Sequence, residues 1–128
     1  MKTINSILLV GFGGFVGAIS RYLIALALEP VSMAFPAGTL LVNLTGCLII
    51  GGIAGLVDAS VSISPASRLF IVTGFCGALT TMSSFVYETD RIFRSGQSMQ
   101  ALVYFLATLA GSFTIFFAGY FLTKLVFK

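Results

Sequence analysis

Four long apolar runs, separated by short polar stretches, make up almost the whole chain. The first runs from Ile4 to Leu28, with Arg21 as its only charge. Glu29-Pro30 closes it, because proline disfavours helix in the residue before it. The second begins after Pro36-Ala37-Gly38 and continues to Val57, with Asp58 as its stop. The third extends from Arg68 to about Arg94 and the fourth from Met99 to about Phe127. Each reaches the length of about 20 mostly apolar residues that a helix needs to cross a bilayer. The linker 59–67 is rich in serine, and Ser64-Pro65 reads as a helix N-cap followed by a first helical position. Ser95-Gly96-Gln97-Ser98 reads as a turn with Gly96 as a C-cap. The pattern therefore predicts an all-α integral membrane protein. Its four transmembrane helices, about 4–28, 38–58, 66–95 and 98–127, fill residues 1–128 as a single domain. Lys2 before an apolar stretch is compatible with a signal peptide, but Arg21 and three further spans favour an uncleaved first helix.

Composition agrees. Only 9% of residues are charged, where a soluble domain has roughly 25%, so a water-facing surface cannot be built. The absence of histidine removes His-dependent acid–base chemistry and most zinc sites. Cys47 and Cys76 are too far apart for a CxxC pair and read as small packing residues. The net charge of +3 is not clustered, which gives no sign of nucleic-acid binding. Four spans place Lys2, Arg68, Lys124 and Lys128 on one side, against Arg21, Arg91 and Arg94 on the other. Orientation follows such differences, and here the difference is almost nil. Either insertion order fixes one orientation, or the chain inserts both ways and pairs with its inverted copy.

Small residues recur four apart at Gly13/Gly17, Gly51/Gly55 and Ala107/Gly111, a spacing that lets helices approach closely in lipid. It does not say whether the partner helix lies in the same chain. Gly11 to Gly17 looks superficially like a dinucleotide-binding loop, but it lies within an apolar helix, so packing is the better reading.

Polar groups inside a span are functional candidates. Asn43 lies one turn beyond Thr39, and its carboxamide suits either an interhelical hydrogen bond or a permeating anion. The stretch from Gly74 to Phe85 holds two glycines and, at Thr80, Thr81, Ser83 and Ser84, four hydroxyls in five residues. Both features weaken a helix. The run from Arg68 to Arg94 would span about 40 Å as one helix, so either a kink or a mid-membrane break is expected. Irregular backbone at that depth must be buried in protein or line a cavity. Its carbonyls suit a hard cation and its amide ends an anion. Tyr104, Thr108 and Ser112 repeat every four residues on one face of the fourth helix. They make either separate interhelical bonds or a hydrated track. Neutral donors, one cation at Arg21 and no mid-membrane carboxylate favour a small anion over a cation. Phe85, beside the expected break, can offer a positive ring edge to such an ion.

These residues resemble a known family. Gly13 to Tyr22 is similar to the first-helix signature of the Fluc (CrcB) fluoride channels, and Pro36 to Leu44 to the second. Gly74 to Phe85, followed by Glu88, resembles the third-helix break. The resemblance implies a fluoride-selective passive channel that gives resistance to fluoride. It implies an antiparallel dual-topology homodimer with two pores in a lipid bilayer. Asn43, Phe85, Tyr104, Thr108 and Ser112 would then line the fluoride pore together with Thr39, Ser83, Ser84 and Glu88, and Arg21 would sit at its vestibule. Backbone carbonyls of Gly77 and Thr80 from both subunits would hold a structural sodium ion (Na+). Met82 departs from the family, which usually has phenylalanine there; it is expected beside Phe85 in the pore. The strongest rival, a small multidrug-resistance-type proton-coupled cation exporter, needs a mid-membrane carboxylate in its first helix. Here Glu29 lies at the helix end. An enzyme is not expected, because no nucleophile–base pair is present.

Overall fold

A computed structural model describes residues 3–32 and 35–127. Lys2 and Lys128, counted in the charge balance, lie outside them. The elements in order are α1 (Thr3–Ala27), a short α2 (Glu29–Ser32), α3 (Ala37–Asp58), α4 (Pro65–Arg68), a π-helical stretch π1 (Leu69–Cys76), α5 (Gly77–Leu79), α6 (Met82–Arg94) and α7 (Ser98–Val126). No strand occurs among the described residues. Four stretches are long and apolar enough to cross a membrane: Thr3–Ala27, Ala37–Asp58, Pro65–Arg94 and Ser98–Val126. The protein is thus all-helical and multi-pass, and its third span is broken.

Local chemistry sets the helix ends. Ser64 is the N-cap of α4, its hydroxyl accepting from the Ser67 amide at 3.0 Å, with Pro65 at the first helical position. Gly96 sits at φ +84°. The amides of Gly96 and Gln97 bond the carbonyls of Phe93 and Ile92, the reciprocal pair that closes a helix with a left-handed residue. Ser60, at φ 62°, closes α3 in the same way, with Ser60 and Val61 amides on Val57 and Leu56. The first long helix ends at Ala27, just before Glu29-Pro30 as expected, and Pro30 then sits in the first turn of the separate, short α2. A proline in a first turn removes only an amide that would have no helical partner anyway.

Packing follows the glycines. A Cβ on Gly13 or Gly17 of α1 would overlap the backbone of Phe70 or Phe75 in π1. A Cβ on Gly51 or Gly55 of α3 would overlap the carbonyls of Phe116 or Tyr120 in α7. Both small-residue pairs therefore meet helices of their own chain. Gly111 of the third pair lies under Leu44, with its Cβ position 3.1 Å from the leucine methyl. The two helix pairs, α1 with π1 and α3 with α7, are joined by the third span, whose second half α6 packs on α7. At one end Lys124 meets Asp58 at 2.9 Å, and the Tyr120 hydroxyl donates to the same carboxylate, tying α3 to α7. The exterior is apolar, with Phe12, Phe15, Phe113 and Phe121 exposed, while Asn43, Thr81 and Thr108 are buried. This inversion of a soluble fold is what a lipid solvent demands.

Candidate functional site

The site is built around the break in the third span. Thr80 and Thr81 are extended, at φ −80°, ψ 155° and φ −151°, ψ 115°. A break at membrane depth strands backbone groups that must find partners. Asn43, on the first half of α3, satisfies two of them. Its Oδ1 accepts from the Thr81 amide at 2.8 Å, and its Nδ2 donates to the Thr81 carbonyl at 3.3 Å. The Thr81 hydroxyl then caps α6. It accepts from the Ser84 amide at 3.2 Å, donates to Ser84 Oγ at 3.1 Å and lies 3.2 Å from Ser83 Oγ.

The break also redirects carbonyls. In an unbroken helix the Thr81 amide would bond the Gly77 carbonyl and the Ser84 amide the Thr80 carbonyl. Here Thr81 bonds Asn43 and Ser84 bonds the Thr81 hydroxyl. The amide and hydroxyl of Thr80 both turn back to the Cys76 carbonyl, at 3.0 and 2.9 Å. Gly77 is exposed and Thr80 half-buried. Neutral carbonyl oxygens without helical donors are a fitting donor set for a hard cation. Gly77 and Thr80 of one chain supply fewer than the roughly six oxygens that such an ion takes.

One turn further along α6, Glu88 joins three helices. Its carboxylate accepts from Thr39 Oγ1 of α3 at 2.8 Å and from the Tyr104 hydroxyl of α7 at 2.7 Å. Tyr104 is fully buried and meets the rings of Phe85 at 5.4 Å and Phe35 at 5.3 Å, the latter edge-on at 86°. Phe85 is 2% exposed and stacks on Phe105 at 5.7 Å. Thr108 follows one turn along α7, and its buried Oγ1 has no hydrogen-bond partner among the described residues. Ser112, a turn beyond, is half-buried.

Two cavities lead to these groups. One of about 410 Å³ is lined by Arg21, Thr39, Thr81, Ser84 and Glu88 among others. A larger one of about 820 Å³ shares Tyr22, Thr39 and Glu88 and reaches Glu29, Arg91 and Gln97. The hydroxyls of Thr39, Thr81 and Ser84 and the Arg21 guanidinium therefore face one space. The carboxylate in that space has both oxygens engaged by hydroxyls. The arrangement suits a small anion better than a cation.

Of the residues singled out in the sequence, the chain brings Arg21, Thr39, Ser84 and Glu88 to one cavity. Asn43 lies behind it on Thr81, and Tyr104 joins the group through Glu88. Met82, 66% exposed, and Ser83, also exposed, are not enclosed by their own chain. Sequence reasoning missed two features. Thr81 matters through its backbone, for which the only signal was the polar run at 80–84. Phe35 covers Tyr104 from a loop, and no pattern announced it.

Comparison with known proteins places the chain. Residues 8–120 match the model of the CrcB-like protein, Camphor Resistance (CrcB) family. A protein of Chlorobium phaeobacteroides named fluoride-specific ion channel FluC is 41% identical over 98% of this chain and 97% of its own length. Proteins of the same name from Chlorobaculum tepidum and Pyrococcus furiosus are 43% and 39% identical, each over 94% of this chain and 96% or 98% of their own. With its four apolar spans, its broken third helix and a match over nearly its whole length, the chain belongs to the CrcB family of membrane proteins.

Proposed function

We propose that the chain is a passive, fluoride-selective channel that lets fluoride leave the cell and so protects it. The cavity that gathers Arg21, Thr39, Thr81 and Ser84 carries the reading, and the name of the relatives supplies the ion. Arg21 draws anions to the cavity. Ser84, whose oxygen accepts from Thr81, keeps its own hydroxyl proton, and it and the remaining N–H of Asn43 offer donors to an ion that sheds water. Phe85 offers a ring edge, and Tyr104, Thr108 and Ser112 continue the path along α7. The unpartnered Thr108 hydroxyl supports this, since a buried polar group without a partner is costly unless something visits it.

The working unit is an antiparallel, dual-topology homodimer with two pores. The near balance of basic residues between the two sides supports both orientations. Met82, Ser83 and Gly77, exposed on one chain at the break, lie where a second copy would cover them. Gly77 and Thr80 carbonyls from both copies would hold the structural sodium ion. Its positive charge, when bound, offsets the mutual repulsion of these oxygens and ties the two breaks together. The protein has no enzymatic role in this reading.

Bacteria lacking their own fluoride exporter provide the test. Expression of this chain is expected to restore growth in millimolar-range fluoride. Membranes that contain the protein but leave the cells fluoride-sensitive would refute the reading.

A further inference from the structure

We infer that Asn43 is the positioning residue for the carbonyl oxygens at the helix break and thereby sets the affinity for the cation they hold. The inference rests on the channel reading, which assigns sodium to Gly77 and Thr80. It gives Asn43 a role separate from facing the permeating anion.

The geometry is specific. Thr81 is the residue whose amide would close an α-helical bond onto the Gly77 carbonyl. That amide is held by Asn43 Oδ1 at 2.8 Å. The same carboxamide holds the Thr81 carbonyl through Nδ2 at 3.3 Å. Both backbone groups of one residue are thus fixed by one side chain from a helix 38 positions away. Asn43 and Thr81 are each 8% exposed, so water does not readily replace either bond. Thr81 cannot turn its amide back towards Gly77 while the carboxamide is in place.

Removing the carboxamide changes the competition. A Thr81 amide left without an acceptor in a buried site is costly. The nearest remedy along the chain is the Gly77 carbonyl, four residues back. Satisfying that carbonyl takes away an oxygen that the cation needs. Outer-shell partners that orient metal ligands change affinity by about 10–100-fold when removed, and Asn43 acts on Gly77 in the same manner through Thr81. Its Oδ1 is the critical atom; the Nδ2 bond is longer and secondary.

Thermal unfolding of the purified full-length protein in detergent, titrated with sodium chloride at constant ionic strength, reads this directly. The wild type is expected to be stabilised by sodium with a saturating midpoint. Asn43→Ala is expected to move that midpoint up by about 10–100-fold. Asn43→Asp keeps an acceptor for the Thr81 amide and is expected to have a midpoint no higher than wild type. Gly51→Ala, whose new Cβ overlaps the Phe116 carbonyl far along α3, is expected to lower stability without moving the midpoint. A wild type that ignores sodium would overturn the cation part of the channel reading and this inference with it. A wild-type sodium response that Asn43→Ala leaves at the same midpoint would overturn the inference alone, as would an equal shift in Gly51→Ala. If Asn43→Ala does not fold, a weakened midpoint in Asn43→Asp overturns it.

Discussion

Thr108→Val is expected to make the protein more stable and a worse channel. Valine keeps the shape of threonine and removes the hydroxyl. In this structure that hydroxyl is buried, at 4% exposure for the residue, with no partner among the described residues. An unsatisfied buried polar group costs about 1–3 kcal/mol, so its removal is expected to raise the unfolding free energy by an amount in that range. The competing possibility has the opposite sign. A hydroxyl engaged in an ordinary interhelical bond would lose about 0.6 kcal/mol on removal, the average measured between membrane helices. Tyr104→Phe supplies that contrast, because its hydroxyl donates to Glu88 at 2.7 Å and its loss is expected to destabilise by up to about 1.7 kcal/mol. Reversible unfolding in mixed detergent micelles, followed by circular dichroism, measures both. Fluoride release from liposomes is expected to slow in Thr108→Val, since the path loses a donor. A Thr108→Val protein that is less stable than wild type would refute the claim that the hydroxyl is held in reserve for an ion.

Three further outcomes are expected. Gly17→Val places side-chain atoms on the Phe75 backbone and is expected to cost about 1–3 kcal/mol in the same unfolding assay, whereas Gly11→Val, with nothing within 4 Å, is expected to be neutral. Ser60→Gly relieves a left-handed residue at φ 62° and is expected to stabilise by about 1 kcal/mol; a lower melting temperature would contradict it. Met82→Phe adds a ring edge at an exposed position beside the break and is expected to speed fluoride efflux from liposomes; unchanged flux would remove Met82 from the rate-setting groups.

Hydropathy made the spans legible, because four runs of apolar residues admit no other use. Ser64 and Gly96 were legible as helix ends because each acts on its immediate neighbours. The end of α1 before Glu29-Pro30 was legible as well, whereas the short α2 was not, because a proline tolerated in a first turn does not signal that a new helix begins there. The break was visible as a region between Gly74 and Phe85, but its position at Thr80 and Thr81 was not. A side chain 38 residues away fixes it there, and no local pattern carries that information. The spacing of Gly13/Gly17 and Gly51/Gly55 announced close approach, yet only the fold reveals that both partners are intramolecular. Glu88 shows the same limit. Its type and place on the helix were readable, and the following helix supplies Tyr104, whereas its other hydroxyl donor, Thr39, comes from α3, which the chain order does not pair with it.

The central claim is selective passage of fluoride, and efflux from liposomes containing the purified protein tests it most directly. Release would be followed with a fluoride electrode, and a chloride electrode would serve as control. Rapid loss of fluoride with chloride retained is the predicted result. Retention of fluoride by vesicles holding the folded protein would contradict the channel, and equal release of both ions would contradict the selectivity argued from the donors, Arg21 and Phe85.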